Sequence, residues 1–465
     1  LQLRELGVTD PRGVIEAAEN GAIAKLEGFR EKSEEQLAND AKRFLESGVG
    51  KRTPLGEVDS IVQPLLEYLD DLDEVSIVKA AGSYRRRKET VCDIDVLTVC
   101  TKQKSVMDAF TKFDRVDRVI SKGETRSSVV LKSGMQVDLR AVAEKSYGAA
   151  LYYFTGSKEH NVAVRRIAQD MDLKINEYGV FKGDDQVAGE TEESVFESVD
   201  LPYIVPELRE NRGEIEAAQK GELPKLVTGE DIKGDLHMHS TATDGKNTIR
   251  EMAEAAYEMG YSYIAITDHS KRSRMTNGLD EDRLLEQVDE IAALNDEVDI
   301  RILSGIEVDI LEDGSLDLPD EVLEKLDLVI GSVHYKREMS EERMTNRVLT
   351  AMDHPVVSIL GHPTGRMLGQ REAHEIDLER VLDGAHERGV IVELNANPER
   401  LDLNDLACRA AAERGVVVGV GTDAHTTGGL HFMRYGVDTA RRGWLRPDDV
   451  ANTRDTKALL ELLAR

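Results

Sequence analysis

The sequence predicts a multidomain chain of mixed α/β and α+β architecture whose second half is a distorted seven-stranded β/α barrel. Three observations carry this expectation. The chain has 465 residues, more than one ordinary core encloses, so roughly two to four domains are expected. From residue 229 onward, short apolar runs alternate with amphipathic segments, the rhythm of parallel βα units. Seven of those runs also end in a side chain able to hold a metal, and a βα barrel gathers its site at the carboxyl ends of its strands.

The seven runs are Gly234–Ser240, Tyr263–His269, Ile300–Glu307, Leu328–His334, Val356–His362, Val390–Asn395 and Val416–His425. Helices are predicted over Thr248–Met259, Arg283–Leu294, Glu342–Met352, Leu378–Arg388 and Leu403–Arg414, where apolar residues recur at helical spacing. Seven strands rather than eight imply an irregular barrel. Upstream, residues 1–50 read as short helices broken by glycine, with a Gly28-Phe29 turn between two of them, and Val58–Leu69 is helical. Strands are expected at Val75–Ala80, Cys92–Val99, Ser128–Leu131 and Gln136–Val142. Residues 143–228 mix helix with short strands and end in an acidic stretch marked by Pro202, Pro206 and Pro224, read as a linker. The chain opens at Leu1 inside what reads as a folded segment, which suggests further residues upstream.

No apolar stretch approaches the ~18–20 residues a membrane helix needs, and no signal peptide is expected. Cys92, Cys100 and Cys408 are odd in number and lack a metal-type spacing. They fit packed thiols in a reducing cytoplasm. Sixty basic against 89 acidic residues give a net charge of −29, unusual for a protein that meets nucleic acid. Few aromatics and an excess of arginine over lysine suggest a haloarchaeal surface, since molar salt shortens the Debye length to about 3 Å. An acidic total leaves DNA open as a partner, because local patches decide contact.

Two constellations carry chemistry. In Ala81-Gly-Ser-Tyr-Arg-Arg-Arg-Lys-Glu-Thr-Val-Cys-Asp-Ile-Asp-Val-Leu97, Asp93 and Asp95 alternate with apolar residues, so both carboxylates share one strand face. Asp138 sits in a second alternating strand, Gln136-Val-Asp-Leu-Arg140. Three such carboxylates make a hard oxygen site suited to Mg2+. Gly82 permits a tight turn, and Ser83 with Arg86 can bind phosphate oxygens. The second constellation comprises His237, His239, Asp244, His269, Glu307, His334, His362, Asp423 and His425. Its imidazole and carboxylate mixture suits Mn2+, Zn2+ or iron. His160, His354, His374, His386 and His431 lie outside it and read as structural or solvated.

Gly-Asp-Leu-His-Met-His-Ser-Thr-Ala-Thr-Asp-Gly245, Ile-Thr-Asp-His269, Gly-Ile-Glu-Val308, Ser-Val-His334, Gly-His-Pro363 and Gly-Thr-Asp-Ala-His425 resemble the motif set of the polymerase and histidinol phosphatase (PHP) domain. The resemblance covers about half the chain. It implies three ions: one held by His237, His239, Glu307 and Asp423, a second bridged by Glu307 to His334 and His362, a third held by Asp244, His269 and His425. The Gly-Ser, Asp-x-Asp and third-Asp pattern resembles family X (beta-like) DNA polymerases. It implies a nucleotidyltransferase palm over 56–142 and a thumb with linker over 143–228, followed by the PHP domain at 229–465. Tyr153-Phe-Thr-Gly-Ser157, Asn161 and Arg165 resemble the family's thumb. Tyr153 and Phe154 are then expected at the incoming sugar, Gly156 in the same motif, and Asn161 and Arg165 on the minor-groove side. Gly28 and Arg30 resemble a helix-hairpin-helix turn in a fingers-like segment, residues 1–55, although Arg30 replaces the usual second glycine. The family's N-terminal lyase region is not matched here.

The reading that follows is a DNA repair enzyme. The front half fills short gaps with deoxynucleotides, and the rear half is a metal-dependent phosphodiesterase acting as a 3′-5′ exonuclease, an abasic-site endonuclease or both. Gapped or primed DNA and dNTPs are the partners, no membrane is involved, and a cytoplasmic monomer is expected. A histidinol-phosphatase-like PHP enzyme fused to a transferase with a non-DNA substrate is the alternative. A DNA-binding scaffold with silent sites is a third reading, disfavoured by the complete ligand sets.

Overall fold

The computed structural model describes residues 52–464 together with residues 8, 10–26, 29, 30, 33–35, 37, 38 and 41. The chain divides into two compact units, residues 1–53, 57–86 and 90–203 in one and residues 54–56, 87–89 and 204–465 in the other.

The first unit is built on a five-stranded sheet. Its strands are β1 (Val75–Ala80), β2 (Asp93–Cys100), β3 (Val116–Lys122), β4 (Arg126–Leu131) and β5 (Gln136–Ala141), in the order β1-β2-β5-β4-β3. Neighbours are antiparallel except β2 and β5, which run parallel and place Asp95 directly opposite Asp138. Ile94, Val96 and Leu97 of β2 are buried, so the strand is pinned by its apolar side. A short helix α1 (Gly82–Arg85) caps the sheet after β1. Beyond β5 come α2 (Tyr147–Thr155), α3 (Lys158–Asp170) and a small antiparallel sheet of β6 (Lys174–Asn176), β7 (Gly179–Lys182) and β8 (Asp185–Ala188). His160 is buried between the rings of Tyr152 and Phe196, the structural role expected for it. Gly28 lies outside the described residues; Arg30 is described and exposed.

In the second unit, β9 (Gly234–Asp235), β10 (Tyr263–Ile266), β11 (Arg301–Asp309), β12 (Leu328–Ser332), β13 (Ile359–Leu360), β14 (Ile391–Asn395) and β15 (Val418–Gly421) pair parallel in chain order. Six of the strands fall within the expected runs, and β11 extends two residues past its run, Ile300–Glu307, to Asp309. The intervening helices include α4 (Ile249–Glu258), α5 (Glu281–Leu294), α6 (Glu341–Met352), α7 (Leu378–Arg388) and α8 (Asp405–Glu413). Outward-facing Ile264, Ile302, Val392 and Val418 share a core with Met252, Leu284, Val348 and Leu382. A second cluster of Leu236, Tyr263, Leu303, Leu328, Ile330, Ile359 and Ile391 packs with Leu459 and Leu463 of the last helix, α9 (Thr456–Leu463).

The barrel is nearly closed. Met238 and Ala424 form a parallel bridge, the His239 N–H donates to the Ala424 carbonyl and the Asp423 N–H to the His237 carbonyl, each at 2.9 Å. Asn452, fully buried, ties the same two strands. Its amide nitrogen donates to the carbonyls of Gly234 and Val420 at 2.8 Å, and its Oδ1 accepts from the Val420 N–H at 2.7 Å.

The acidic stretch expected as a linker is packed in its final residues. Leu208, Ile215, Ala218 and Val227 are buried, and a helix spans Glu214–Lys220. Its carboxylates find partners: Glu207 pairs with Arg441 at 2.7 Å and Glu210 with Arg442 at 3.1 Å. Cys408 is buried as expected, whereas Cys92 and Cys100 are half-buried and free.

Replacing Asn452 by Leu leaves two carbonyls and one N–H unpaired inside the barrel. We expect a loss of about 2–4 kcal/mol, read as a lower denaturation midpoint of the barrel unit; an unchanged midpoint refutes the clamp.

Candidate active sites

The first site is the carboxylate face of β2 and β5. Asp93 and Asp95 project from alternate positions of β2, and Asp138 lies across from Asp95. The Ser128 hydroxyl donates to Asp138, and an Arg126 guanidinium nitrogen is 3.7 Å from the same carboxylate. Burial first, then Asp93 and Asp138, raise the pKa of Asp95 to about 6; burial and Asp138 also raise that of Asp93. Like charges are thus crowded with little compensation, which fits a site for hard divalent cations. Gly82 has φ +63°, and a side chain there would meet Asp95 Oδ2 at 3.3 Å, so glycine lets the turn approach the carboxylates.

Ser83 sits in α1, and Arg86 just beyond it donates to the Thr155 carbonyl at 2.5 Å. Arg85 forms a two-pronged pair with Glu192, 2.8 and 2.5 Å. Tyr153 and Phe154 meet edge to face at 5.1 Å. The Asn161 amide donates to the Tyr153 carbonyl at 2.8 Å, and Arg165 Nε to the Asn161 carbonyl at 3.1 Å. Gly156, at φ +69°, ends α2. Sequence reasoning missed Arg140. Its guanidinium lies 4.4 Å from the centre of the Phe154 ring, and its charge acts on Asp95. Its place two residues after Asp138, on the same strand face, was the signal.

The second site gathers at the carboxyl ends of the barrel strands. Glu307, from β11, is fully buried with five imidazoles around it: His362 at 2.8 Å, His269 at 2.9 Å, His334 at 3.2 Å, His237 at 3.6 Å and His239 at 3.8 Å. Barrel closure brings Asp423 within 3.2 Å of His239 and 4.0 Å of His237. Asp244 lies 3.6 Å from His269 and 3.4 Å from His425. All nine expected side chains therefore meet in one cluster. Its ion-sized groupings are His237, His239 and Asp423; His269, Glu307 and His334; and His239, Asp244, His269 and His425. His239 and His269 thus sit in groupings other than, or additional to, those the resemblance implies. His362 reaches the cluster through Glu307.

Burial opposes charge on His269, but Glu307 and Asp244 outweigh it and lift its pKa to about 10. Burial likewise opposes charge on His334, which Glu307 and Asp309 raise to about 9. His239 moves the other way, to about 4, through burial and the nearby His269. Burial would raise Glu307, yet His334, His237 and His269 hold it well below the carboxylate range. Ring nitrogens of His237, His239, His269 and His362 are buried with no hydrogen-bond partner among the described residues. Orphaned imidazole nitrogens beside buried carboxylates are a donor set that fits borderline divalent metals. His362 and Asp423 adopt positive φ, 24° and 53°, conformations costly for such residues and typical of a functional site.

Around this cluster stands a ring of partners, of which sequence reasoning missed Glu393 and Arg400, while Asn395, the end of the sixth run, holds a ligand instead of an ion. Glu393 Oε1 is 2.6 Å from His237 Nδ1 and its Oε2 accepts the His362 N–H, fixing which nitrogen of His237 faces inward. Arg400 and Asn395 hold Asp423 Oδ2 at 3.3 and 3.1 Å. Glu393 was visible in the sixth run, Val390–Asn395, but nothing in sequence tells a ligand from its supporter.

Family models match in the same places: DNA polymerase beta palm over residues 52–176, DNA polymerase beta thumb over 150–210 and PHP domain over 235–397. The DNA polymerase/3′-5′ exonuclease PolX of Bacillus subtilis (strain 168) is 39% identical over 471 residues, covering 99% of this chain and 81% of that protein. The chain belongs to the family X DNA polymerases that carry a C-terminal PHP domain. Its PHP half is also similar to a probable phosphatase of Thermoanaerobacter sp. (strain X514), 31% identical over 231 residues, 47% of this chain and 89% of that protein. A crystal structure of Leishmania infantum polymerase beta, a ternary P/T complex, aligns with a TM-score of 0.36 at 19% identity over 45% of this chain and 91% of that one. The haloarchaeal source inferred from surface charge finds no support among these relatives.

Two predictions follow from the electrostatics. The raised pKa of Asp95 means that its native-state ionisation opposes folding: the penalty is absent below about pH 4, grows as pH rises from about 4 to about 6, and stays constant above that. Asp95→Asn should therefore stabilise the palm unit by about 1–2 kcal/mol at pH 7, and the gain should vanish at pH 4 in denaturant melts. In the PHP barrel, Glu393→Ala should weaken Mn2+ binding by roughly 10- to 100-fold, with Glu393→Gln milder, as measured by calorimetric titration.

Proposed function

We propose that the chain is a gap-filling DNA polymerase with a separate 3′-5′ exonuclease and phosphodiesterase centre, the latter also cleaving at abasic sites. The division proposed is a fingers-like hairpin at 1–55, palm at 56–142, thumb and linker at 143–228, and PHP domain at 229–465. The single observation that carries the reading is the coexistence of two complete, chemically different ligand sets, three carboxylates on β2 and β5 and nine imidazole or carboxylate groups on the barrel. The similarity, over 99% of the chain, to a polymerase with an exonuclease disfavours the alternative, a phosphatase fused to a transferase for another substrate.

In the palm, Asp93, Asp95 and Asp138 would hold Mg2+, which supplies charge neutralisation on the triphosphate. Ser83 and Arg86 bind phosphate oxygens, and Tyr153, Phe154 and Asn161 position the incoming sugar and nascent pair. One carboxylate accepts the proton of the primer 3′-hydroxyl as its oxygen attacks the α-phosphorus and pyrophosphate leaves. The contribution is chiefly positioning and electrostatic. In the barrel, His237, His239, Asp244, His269, Glu307, His334, His362, Asp423 and His425 would hold up to three Mn2+ or Zn2+ ions, which supply an acidified water and neutralise phosphoester charge. Glu393 and Asp309 orient His237 and His334, and Arg400 holds Asp423. We place the protein in the cytoplasm as a monomer acting on gapped or primed DNA with dNTPs.

A gapped duplex carrying a 5′-labelled primer reports both centres at once. Asp93→Ala with Asp95→Ala should reduce extension by about a thousandfold or more and leave shortening intact. Glu307→Ala should do the reverse. Equal loss of both activities in either variant refutes separate sites.

A further inference from the structure

Beside the imidazole cluster lies a cavity of about 1040 Å³ lined by His334, Tyr335, Arg337, Met339, Arg371 and His374. His334 belongs to the cluster, so the cavity opens directly from the proposed hydrolytic centre. Its cations are poorly compensated. Half-buried Arg337 has no ion-pair or hydrogen-bond partner for its side chain among the described residues. Arg371 has no ion-pair partner either; its Nε and Nη2 both donate to the Gly365 carbonyl, at 2.9 and 2.8 Å, which fixes the plane of the guanidinium. Burial, then Arg337 and Arg400, push the Arg371 pKa down to about 10, a sign that like charges are crowded together. His374 packs on Gly365, whose Cβ, if present, would lie 2.3 Å from its Nε2, and the charges acting on it are those of His362, Arg337, Arg371 and Arg347. Glu338, Glu372 and Glu375 also line the cavity, but all three are exposed and none pairs with these cations.

In a chain of net charge −29, a pocket that concentrates unpaired guanidinium groups calls for an anion. Planar, multidentate donors next to a candidate metal centre match the non-bridging oxygens of a phosphate. The cavity is larger than a phosphate requires, and half-buried Tyr335 and Met339 offer apolar surface for a sugar and a base.

Resting on the exonuclease reading above, we infer that this cavity receives the 3′-terminal nucleotide of the strand being shortened, with Arg337 and Arg371 on its phosphate and Tyr335 and Met339 against its sugar and base. In the step it serves, a water oxygen bonds to phosphorus and the bond from phosphorus to the 3′-oxygen of the preceding nucleotide breaks. That 3′-oxygen takes a proton, and the terminal residue leaves as a nucleoside 5′-monophosphate.

The test titrates the full chain, in Mn2+, with deoxyadenosine 5′-monophosphate and with inorganic phosphate, using wild type, Arg337→Ala and Arg337→Lys. We expect Arg337→Ala to weaken nucleotide binding about tenfold or more and to raise the KM for primer shortening by a similar factor. kcat should change less than about threefold and primer extension not at all. Arg337→Lys should recover part of the loss. Inorganic phosphate bound as tightly as the nucleotide overturns the nucleotide cavity. A wild type that shortens DNA while Arg337→Ala matches it in both affinity and KM overturns the cavity alone. A wild type that binds the nucleotide through Arg337 yet shortens no DNA supports the cavity and overturns the exonuclease reading.

Discussion

Glu307 is a carboxylate with almost no access to water, and five imidazoles stand within 4 Å of it. Removing a carboxylate from water is costly unless cations or strong donors replace the lost hydration. Here they come from β9, β10, β12 and β13, four other strands or their ends, so no local segment of chain can assemble them. The barrel has to close first. Met238 bridging Ala424, with Asn452 clamping β9 to β15, places His237 and His239 beside Asp423 and His425. Closure and site formation are therefore one event, and the positive φ at Asp423 is tolerated because the strands on both sides of it are fixed.

The first unit solves a related problem with a sheet. The parallel pairing of β2 with β5 sets Asp95 against Asp138, and the buried Ile94 and Val96 leave Asp93 and Asp95 no other face to occupy. Arg140 links that face to α2: its charge acts on Asp95 while its guanidinium lies over Phe154. A movement of the Tyr153–Phe154 segment would thus be felt at the carboxylates through a single side chain.

Much of this was legible in the sequence, for identifiable reasons. The seven barrel runs announce themselves because strands buried on both faces are nearly continuous apolar segments. The alternating Asp93-Ile-Asp95 has a period that only a strand satisfies. What stayed hidden had no such pattern. Strand β3 is exposed along nearly its whole length, so no apolar alternation marks it. The acidic residues near 207–210 looked solvated because their partners, Arg441 and Arg442, lie more than two hundred residues away. Glu393 and Arg400 were invisible as site residues for the same reason: their role is to hold other side chains, and that depends on distances that sequence does not encode.

Surface charge was the least reliable guide. Reading −29 as a mark of a salt-adapted organism treated charge as a bulk property, whereas the structure distributes it unevenly. Many acidic groups are absorbed in pairs such as Arg85 with Glu192 and Arg442 with Asp405. Arg337 and Arg371, beside the imidazole cluster, have no carboxylate partner among the described residues. A polyanion approaching this protein responds to potential within about a Debye length, close to 8 Å at physiological salt, so the local arrangement of charge matters more to it than the net total. An acidic chain can bind nucleic acid on these terms, provided its cations are concentrated where the phosphates must go.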